Sequence, residues 1–268
     1  MSTASLIEFI KKLGPVAVAF SGGVDSSLVA AAAFRAHGSS AVAVTIVSEL
    51  FPDTEATCAA EVAKAIGIRH KTIRLTVLAN ESVTSNPPDR CYHCKSEDFS
   101  AIIKAASDEG IKTVVDGTNA DDLKVHRPGL KALKEMGIIS PLLELGMTKE
   151  MVRSAAKKLG LPNYDRPSSP CLATRFPYGV RLTTEKIERV RAAEEFIHSL
   201  GVSVLRVRDH DGLARIEVEP HEIPKLSSGE LAKKIVVKLR ALGYNYVTID
   251  LEGFRSGSLD LVLKKNGD

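Results

Sequence analysis

Three groups of residues in this 268-residue chain have types and spacings that could do chemistry. The first is Ser21-Gly22-Gly23-Val24-Asp25-Ser26-Ser27. Five apolar residues (16–20) precede it and an Ala-rich apolar stretch (28–34) follows. A strand, a Gly-Gly turn and a helix N-terminus make a phosphate cradle, because the glycines let the backbone approach an anion closely. Unpaired N–H groups and the positive end of the helix dipole then face it. Ser21, Ser26 and Ser27 add hydroxyl donors, and Asp25 is suited to holding a magnesium ion against the phosphates. The second group, Asp116-Gly117-Thr118-Asn119-Ala120-Asp121-Asp122, collects carboxylates and an amide after a short apolar run. It reads either as a solvated turn with a helix cap or as a wall of the nucleotide pocket, where Asp116, Gly117, Asn119 and Asp121 would serve. The third is Cys91-x-x-Cys94, with a third thiol, Cys171, far along the chain. Three chemistries fit these thiols. One is a zinc site completed by His93 or His126. Another is an iron–sulfur cluster held by three cysteines with one iron open, and the last is a redox pair. Cys58 lies among small and apolar neighbours and reads as a core residue.

The elements that must position these groups alternate. A helix over 5–13 leads into the strand 16–20, and a helix over 26–37 stops at His37-Gly38. Strands are expected over 41–47, 70–75 and 113–115, with helices over 54–66 and 95–109. Residues 80–90 read as a long loop closing on the Cys91 motif. Strands alternating with helices imply parallel βαβ units, and ligands bind at the strand C-terminal ends of such sheets. Thr148 can cap a helix ending near Leu159. A Pro-rich loop over 162–179 follows, and a loop of that length inside a compact domain is usually functional or disordered. Beyond residue 180 the pattern changes. A helix over 184–199 precedes strands over 203–208 and 213–219, with Asp211-Gly212 as the hairpin signal. A helix over 231–242 and a strand over 246–251 come after. The expected fold class is α/β: a parallel-sheet domain over 1–179 with a second, smaller α+β domain over 180–268.

Composition narrows the class. A net charge of +3 is too small to announce a nucleic-acid partner. No apolar run approaches the roughly 18 residues of a membrane span. The N-terminus lacks a signal-peptide layout, which points to the cytoplasm. Four cysteines in a reducing compartment suit metal binding or catalysis better than disulfides.

The Ser-Gly-Gly run lacks the Gly-x-x-x-x-Gly-Lys-Ser/Thr pattern of kinases and GTPases. It resembles instead the PP-loop, SGGxDS, of the ATP pyrophosphatases, which split ATP between the α and β phosphates and adenylate a substrate. Nearly the whole chain is similar to the LarE family of ATP-dependent sulfur transferases. FSGGVDSSL at 20–28, DGTNADD at 116–122 and RPSSPCLATRFPYG at 166–179 carry that resemblance, with RVRDHDGLARIEV at 206–218 and FRSGSLDL at 254–261.

The resemblance implies an enzyme of nickel-pincer cofactor synthesis, the cofactor of lactate racemase. It would adenylate a carboxylate of pyridinium-3,5-biscarboxylic acid mononucleotide with ATP and Mg²⁺ and replace AMP with sulfur. It implies that Cys171 is the sulfur-transfer residue. One form of the family surrenders the sulfur of a lone loop cysteine. Another holds a [4Fe–4S] cluster on three cysteines, and Cys91, Cys94 and Cys171 resemble that form. Arg175, Arg206, Arg208 and Arg255 are candidates for the substrate's phosphate and carboxylates, because guanidinium forks match both. Surface charge is their plainer reading. The family's hexameric habit implies a homo-oligomer. An iron–sulfur tRNA thiolase, an ammonia-using synthetase and a non-enzymatic ATP-binding iron–sulfur sensor are the competing functions.

Overall fold

The computed structural model describes residues 2–124, 128–167, 170–255 and 257. The chain forms two compact units. The first comprises residues 1–83 and 88–169, the second residues 84–87 and 170–268.

The first unit opens with α1 (Thr3–Lys12), β1 (Val16–Ala19), α2 (Val24–His37) and β2 (Val42–Val47). Next come α3 (Asp53–Ile66), β3 (Arg69–Arg74), the single turn α4 (Glu81–Thr84) and α5 (Arg90–Asp108). β4 (Thr113–Val115), α6 (Gly129–Glu135), the single turn α7 (Pro141–Glu144) and α8 (Lys149–Lys158) complete it. The four strands are parallel and lie in the order β3-β2-β1-β4. Alternate residues of β1 serve opposite faces: Val16 and Val18 join the core beneath α1, α2 and α8, and Ala17 joins the core beneath α5. α2 is buried from Val24 to Ala33 apart from Asp25, as a helix that is apolar almost all round must be. α1 is amphipathic. Its Leu6 and Ile10, one turn apart, are fully buried, and each such side chain stabilises the fold by about 1.5–3 kcal/mol. Thr148 caps α8 as its sequence suggests, accepting the Met151 N–H at 3.4 Å.

Going from β1 to β2 the sheet grows one way, and going to β4 it grows the other. β1 and β4 are therefore neighbours at the point where strand order reverses. A doubly wound sheet opens a ligand crevice at that point, beyond the strand C-termini. The Ser21 and Asp116 loops leave the sheet there.

α5 begins at Arg90 rather than near residue 95, so Cys91 and Cys94 lie in its first turn and not in a loop. The start is stabilised from downstream: Phe99, Ile102 and Ala106 are buried on one helical face, and Arg90 itself is buried.

The second unit contains α9 (Thr184–Ser199), β5 (Leu205–His210), β6 (Leu213–Val218), the single turn α10 (Ile223–Leu226), α11 (Gly229–Ala241) and β7 (Tyr246–Ile249). β5 and β6 form an antiparallel hairpin, and β7 pairs parallel to β6. The hairpin turn places Asp211 at φ 53° and Gly212 at φ 92°, the left-handed pair that an Asp-Gly turn accommodates. Ala193 and Ile197 of α9 and Ile235 and Leu239 of α11 close the core over Val207, Ile216 and Val218.

Candidate functional site

The loop after β1 is tied down carbonyl by carbonyl. Thr45 Oγ donates to Phe20 O at 2.7 Å, Asn163 Nδ2 to Gly22 O at 2.7 Å and Ser26 Oγ to Gly23 O at 3.1 Å. Ser26 Oγ also accepts the Ser21 N–H at 3.2 Å. With its carbonyls turned inward, the loop presents the first N–H groups of α2, which have no partner within the helix, to the crevice. Gly22 sits at φ 72°, and a Cβ there would meet the Ala59 Cα at 2.8 Å. Both conformation and space demand glycine.

The Asp116 loop packs directly on this helix start. A Cβ on Gly117 would stand 2.7 Å from the Ser26 nitrogen. Asn119 Nδ2 donates to Asp25 Oδ1 at 3.1 Å, and Asp25 Oδ2 is ion-paired with Lys149 Nζ. The Lys149 N–H donates to Asp121 Oδ2 at 2.8 Å, which holds the start of α8 against the same loop. Asp116 is directed elsewhere: it accepts from Thr118 and, at 2.6 Å, from Ser140. Asp122 Oδ2 accepts the Asn119 N–H at 3.0 Å. The structure thus brings Ser21, Gly22, Gly23, Asp25, Ser26, Ser27, Gly117, Asn119 and Asp121 together. It adds two residues that sequence reasoning missed, Lys149 and Asn163. Their partners in the Ser21–Ser27 loop lie more than a hundred positions away, so no local pattern could mark them. The arrangement fits a magnesium ion in one respect. Mg²⁺ on a nucleotide usually takes one or two carboxylates and the substrate phosphates, and Asp25 offers one at the cradle's edge.

Cys91 and Cys94 share one face of the first turn of α5 at helical i, i+3 spacing. Cys91 is exposed and Cys94 half-buried. Arg90 Nη2 lies 4.0 Å from Cys91 Sγ, and the Cys94 thiol is directed at Asp98 Oδ2, 3.9 Å away. Burial pushes the Asp98 carboxyl up to about 6, with Lys95 opposing and Glu97 adding to the shift. Among the described residues no three His, Cys, Asp or Glu side chains are grouped to hold a metal ion. The structure therefore places two of the three proposed cluster thiols together, and Cys171 belongs to the second unit. His93 faces Asp89 at 3.4 Å, whereas His126 lies outside the described residues. Cys58 on α3 contacts the guanidinium of Arg166, which also pairs with Glu55 at 2.7 Å. Burial raises its thiol pKa.

In the second unit Cys171 caps a tight turn, Leu172–Arg175. Its carbonyl accepts the Thr174 N–H at 3.0 Å and the Thr174 hydroxyl at 2.8 Å. Arg175 is 3% exposed and grips Glu194 with two 2.8 Å bonds, while its Nη1 reaches the carbonyls of Pro170 and Cys171 at 3.0 and 3.3 Å. Arg208 makes two bonds to Glu217 Oε2 and donates to Thr174 O at 2.6 Å. Two arginines expected to meet substrate thus brace the Cys171 turn, each anchored on a buried glutamate. Arg206 differs. It has no salt bridge among the described residues, donates to Leu205 O at 2.5 Å and stacks on Phe254. Burial, with repulsion from Arg175 next, lowers its pKa to about 10. An anion would relieve that excess positive charge. Arg255 is exposed and pairs with Glu252 at 2.6 Å, and most of the FRSGSLDL segment beyond it lies outside the described residues.

The Arg175–Glu194 pair makes a direct prediction. Arg175→Ala leaves Glu194 buried without its cation, which costs about 3–5 kcal/mol for such a pair. Chemical denaturation should show a loss of that order, and a loss below about 1 kcal/mol would place the pair among surface ion pairs.

Comparison with known proteins gives consistent results. A family model described as asparagine synthase matches residues 9–123. An uncharacterized protein of Synechocystis sp. is 43% identical over 261 residues, covering 97% of each chain. The pyridinium-3,5-bisthiocarboxylic acid mononucleotide synthase of Lactiplantibacillus plantarum is 39% identical over 266 residues, 98% of this chain and 95% of that one. An uncharacterized protein of Methanocaldococcus jannaschii is 31% identical over 241 residues, 90% of this chain and 91% of its own.

Proposed function

The chain belongs to the LarE family of pyridinium-3,5-bisthiocarboxylic acid mononucleotide synthases, and from that premise we propose how its residues carry out ATP-dependent sulfur transfer. The single observation that carries the proposal is the meeting of the Ser21–Ser27 loop and the Asp116–Asp122 loop at the sheet's switch point, with Asp25, Asn119 and Lys149 in contact.

The substrate is pyridinium-3,5-biscarboxylic acid mononucleotide. A carboxylate is a poor electrophile because its oxygen leaves badly. One carboxylate oxygen attacks the α phosphorus of ATP, the bond to the bridging oxygen breaks, and pyrophosphate departs. The loop N–H groups and Lys149 stabilise the charge that develops on it, and Asp25 would hold a Mg²⁺ ion, which would supply further charge neutralisation. Lys149 is also the counter-ion of Asp25. The acyl-adenylate then meets a sulfur nucleophile, a C–S bond forms, and AMP leaves.

Cys171 serves sulfur transfer in this proposal as the third ligand of a sulfide-carrying cluster, with Arg175 and Arg208 holding its turn. Arg206 takes the substrate phosphate or free carboxylate, supported by its unpaired charge, and Arg255 assists. Cys91, Cys94 and Cys171 are assigned to a [4Fe–4S] cluster. When bound it would offer an open iron able to carry sulfide. The spacing of the first two thiols on one turn of α5 supports this assignment. The domain over 180–268 binds substrate and forms homo-oligomer contacts, a hexamer in the family's manner. No described helix is long and apolar enough to cross a membrane, and the site of action is the cytoplasm.

The test is product analysis. With Mg–ATP and the dicarboxylate nucleotide the protein should release pyrophosphate and AMP and form a thiocarboxylate. With ATP alone it should release neither. ADP and phosphate as products would contradict cleavage between the α and β phosphates.

A further inference from the structure

We infer that Asn163 is a positioning residue of the phosphate loop: its carboxamide locks the Gly22–Gly23 peptide with the carbonyl turned away from the phosphates and the Gly23 N–H turned toward them. The inference rests on the reading of residues 21–27 as the ATP cradle.

Asn163 lies in the turn that follows α8 and is 4% exposed. Its Nδ2 donates to Gly22 O at 2.7 Å and to Ser27 Oγ at 2.9 Å. A carbonyl oxygen only accepts, so the amide nitrogen must face Gly22, which fixes the orientation of the carboxamide. Its Oδ1 is buried with no hydrogen-bond partner among the described residues. A buried amide with an orphaned acceptor is a poor way to fill space. What the residue contributes is its pair of donated bonds.

The first of those bonds acts on the Gly22–Gly23 peptide, and the second ties the same carboxamide to the first turn of α2. In a trans peptide the C=O and the following N–H point in opposite directions. Holding Gly22 O against Asn163 therefore turns the Gly23 N–H to the far side, where Ser21 Oγ now accepts it in a long bond of 3.3 Å. A peptide between two glycines is also the one that flips at least steric cost. A flip would put the Gly22 carbonyl into the cradle, negative end toward the phosphates. A stiffer residue cannot prevent this, because Gly22 is held to glycine by its φ and by the Ala59 backbone. Within the loop the peptide has only the long bond to Ser21, and Asn163 adds the shorter one from outside. The flanking segment is itself pinned: Arg153 donates to the carbonyls of Tyr164 and Arg166 at 2.9 and 3.1 Å.

Calorimetric titration of the full chain with Mg–ATP, with pyrophosphate and with adenosine tests the inference. Asn163→Ala should weaken both phosphate ligands about tenfold, the effect of one lost hydrogen bond to the loop, and leave adenosine unchanged. Asn163→Asp keeps the shape but sets a carboxylate oxygen against the Gly22 carbonyl, so at pH 8 it should bind pyrophosphate at least as poorly. As the pH falls, the buried carboxyl protonates and regains a donor. Its affinity relative to wild type at the same pH should then recover. Two results would overturn the inference: wild-type affinity in Asn163→Asp at pH 8, or equal weakening of adenosine and pyrophosphate in Asn163→Ala. If the wild-type chain itself bound no Mg–ATP, the cradle reading would fall, and this inference with it.

Discussion

Gly117→Ala should reduce ATP-dependent turnover by about a hundredfold or more, the scale on which an ångström of misplacement acts. The added methyl would stand 2.7 Å from the Ser26 nitrogen and 3.0 Å from the Asp25 carbonyl carbon. Both are backbone atoms of the first turn of α2, so no flexible side chain can give way. Either the Asp116 loop or the helix start must move. Asn119 reaches Asp25 from that loop, and the loop's Asp121 holds the Lys149 N–H. Any displacement therefore loosens Asp25, Asn119 and Lys149 together. The expected signature is a fall in turnover that extra magnesium does not repair, with the circular dichroism spectrum unchanged. Asp25→Ala offers the contrast. It also abolishes turnover, but it removes a carboxylate and leaves the backbone where it was, and the Lys149 it strands is about one-third exposed, so the fold is spared. A Gly117→Ala enzyme with wild-type kcat/KM would show that the Asp116 loop is not part of the nucleotide site.

What the sequence disclosed and what it concealed follow from the range of the interactions. The cradle was legible because its determinants are adjacent: an apolar strand, two glycines and an Ala-rich helix. The hairpin at Asp211-Gly212 was legible for the same reason. The parallel sheet followed from alternation, although the neighbour relation of β1 and β4, which makes the crevice, is a matter of topology. The start of α5 was hidden. Prolines and small polar residues precede Cys91, and the helix is held by the burial of Phe99 and Ile102, two and three turns downstream. Lys149 was hidden because it meets Asp25 across 124 positions, and Asn163 because it meets Gly22 across 141. The arginines were legible as a set but not in their division of labour. Alternation along β5 put Arg206 and Arg208 on one face. Only the placement of Glu194 and Glu217 shows that Arg175 and Arg208 are satisfied while Arg206 keeps an excess charge.

The largest chemical effect is expected at the cysteines. Cys91→Ala, Cys94→Ala and Cys171→Ala should each strip iron and acid-labile sulfide from anaerobically purified protein and abolish thiocarboxylate formation, and Cys58→Ala should do neither. The fourth thiol is set apart by its surroundings. It sits on α3 against the Arg166 guanidinium, and its pKa is raised by burial, the opposite of what a thiolate ligand needs. Cys91 and Cys94 project from one helical turn, with Arg90 beside the first thiol and Asp98 beside the second. Two thiolates on one face of a helix repel one another unless a cation lies between them, and the Cys94 thiol is directed at Asp98. Cys171 stands at the head of a turn, with its own carbonyl and that of Pro170 held by Arg175 and the Thr174 carbonyl held by Arg208, a braced mount for either a ligand or a nucleophile. The two routes differ in what the protein loses. If sulfide is delivered to the acyl-adenylate, its sulfur forms the new C–S bond, AMP leaves, and the chain keeps its mass through repeated turnovers fed with sulfide. If Cys171 attacks with its own thiolate, a thioester forms as AMP leaves, the Cα proton is then lost as the Cβ–S bond breaks by β-elimination, and the sulfur leaves with the thiocarboxylate product. The chain is then lighter by about 34 Da, with dehydroalanine at position 171, and stops after one turnover. Intact mass measured after turnover with excess sulfide decides between them. An unchanged mass with several products per chain is the expected result, and a stoichiometric loss at Cys171 would overturn the cluster assignment.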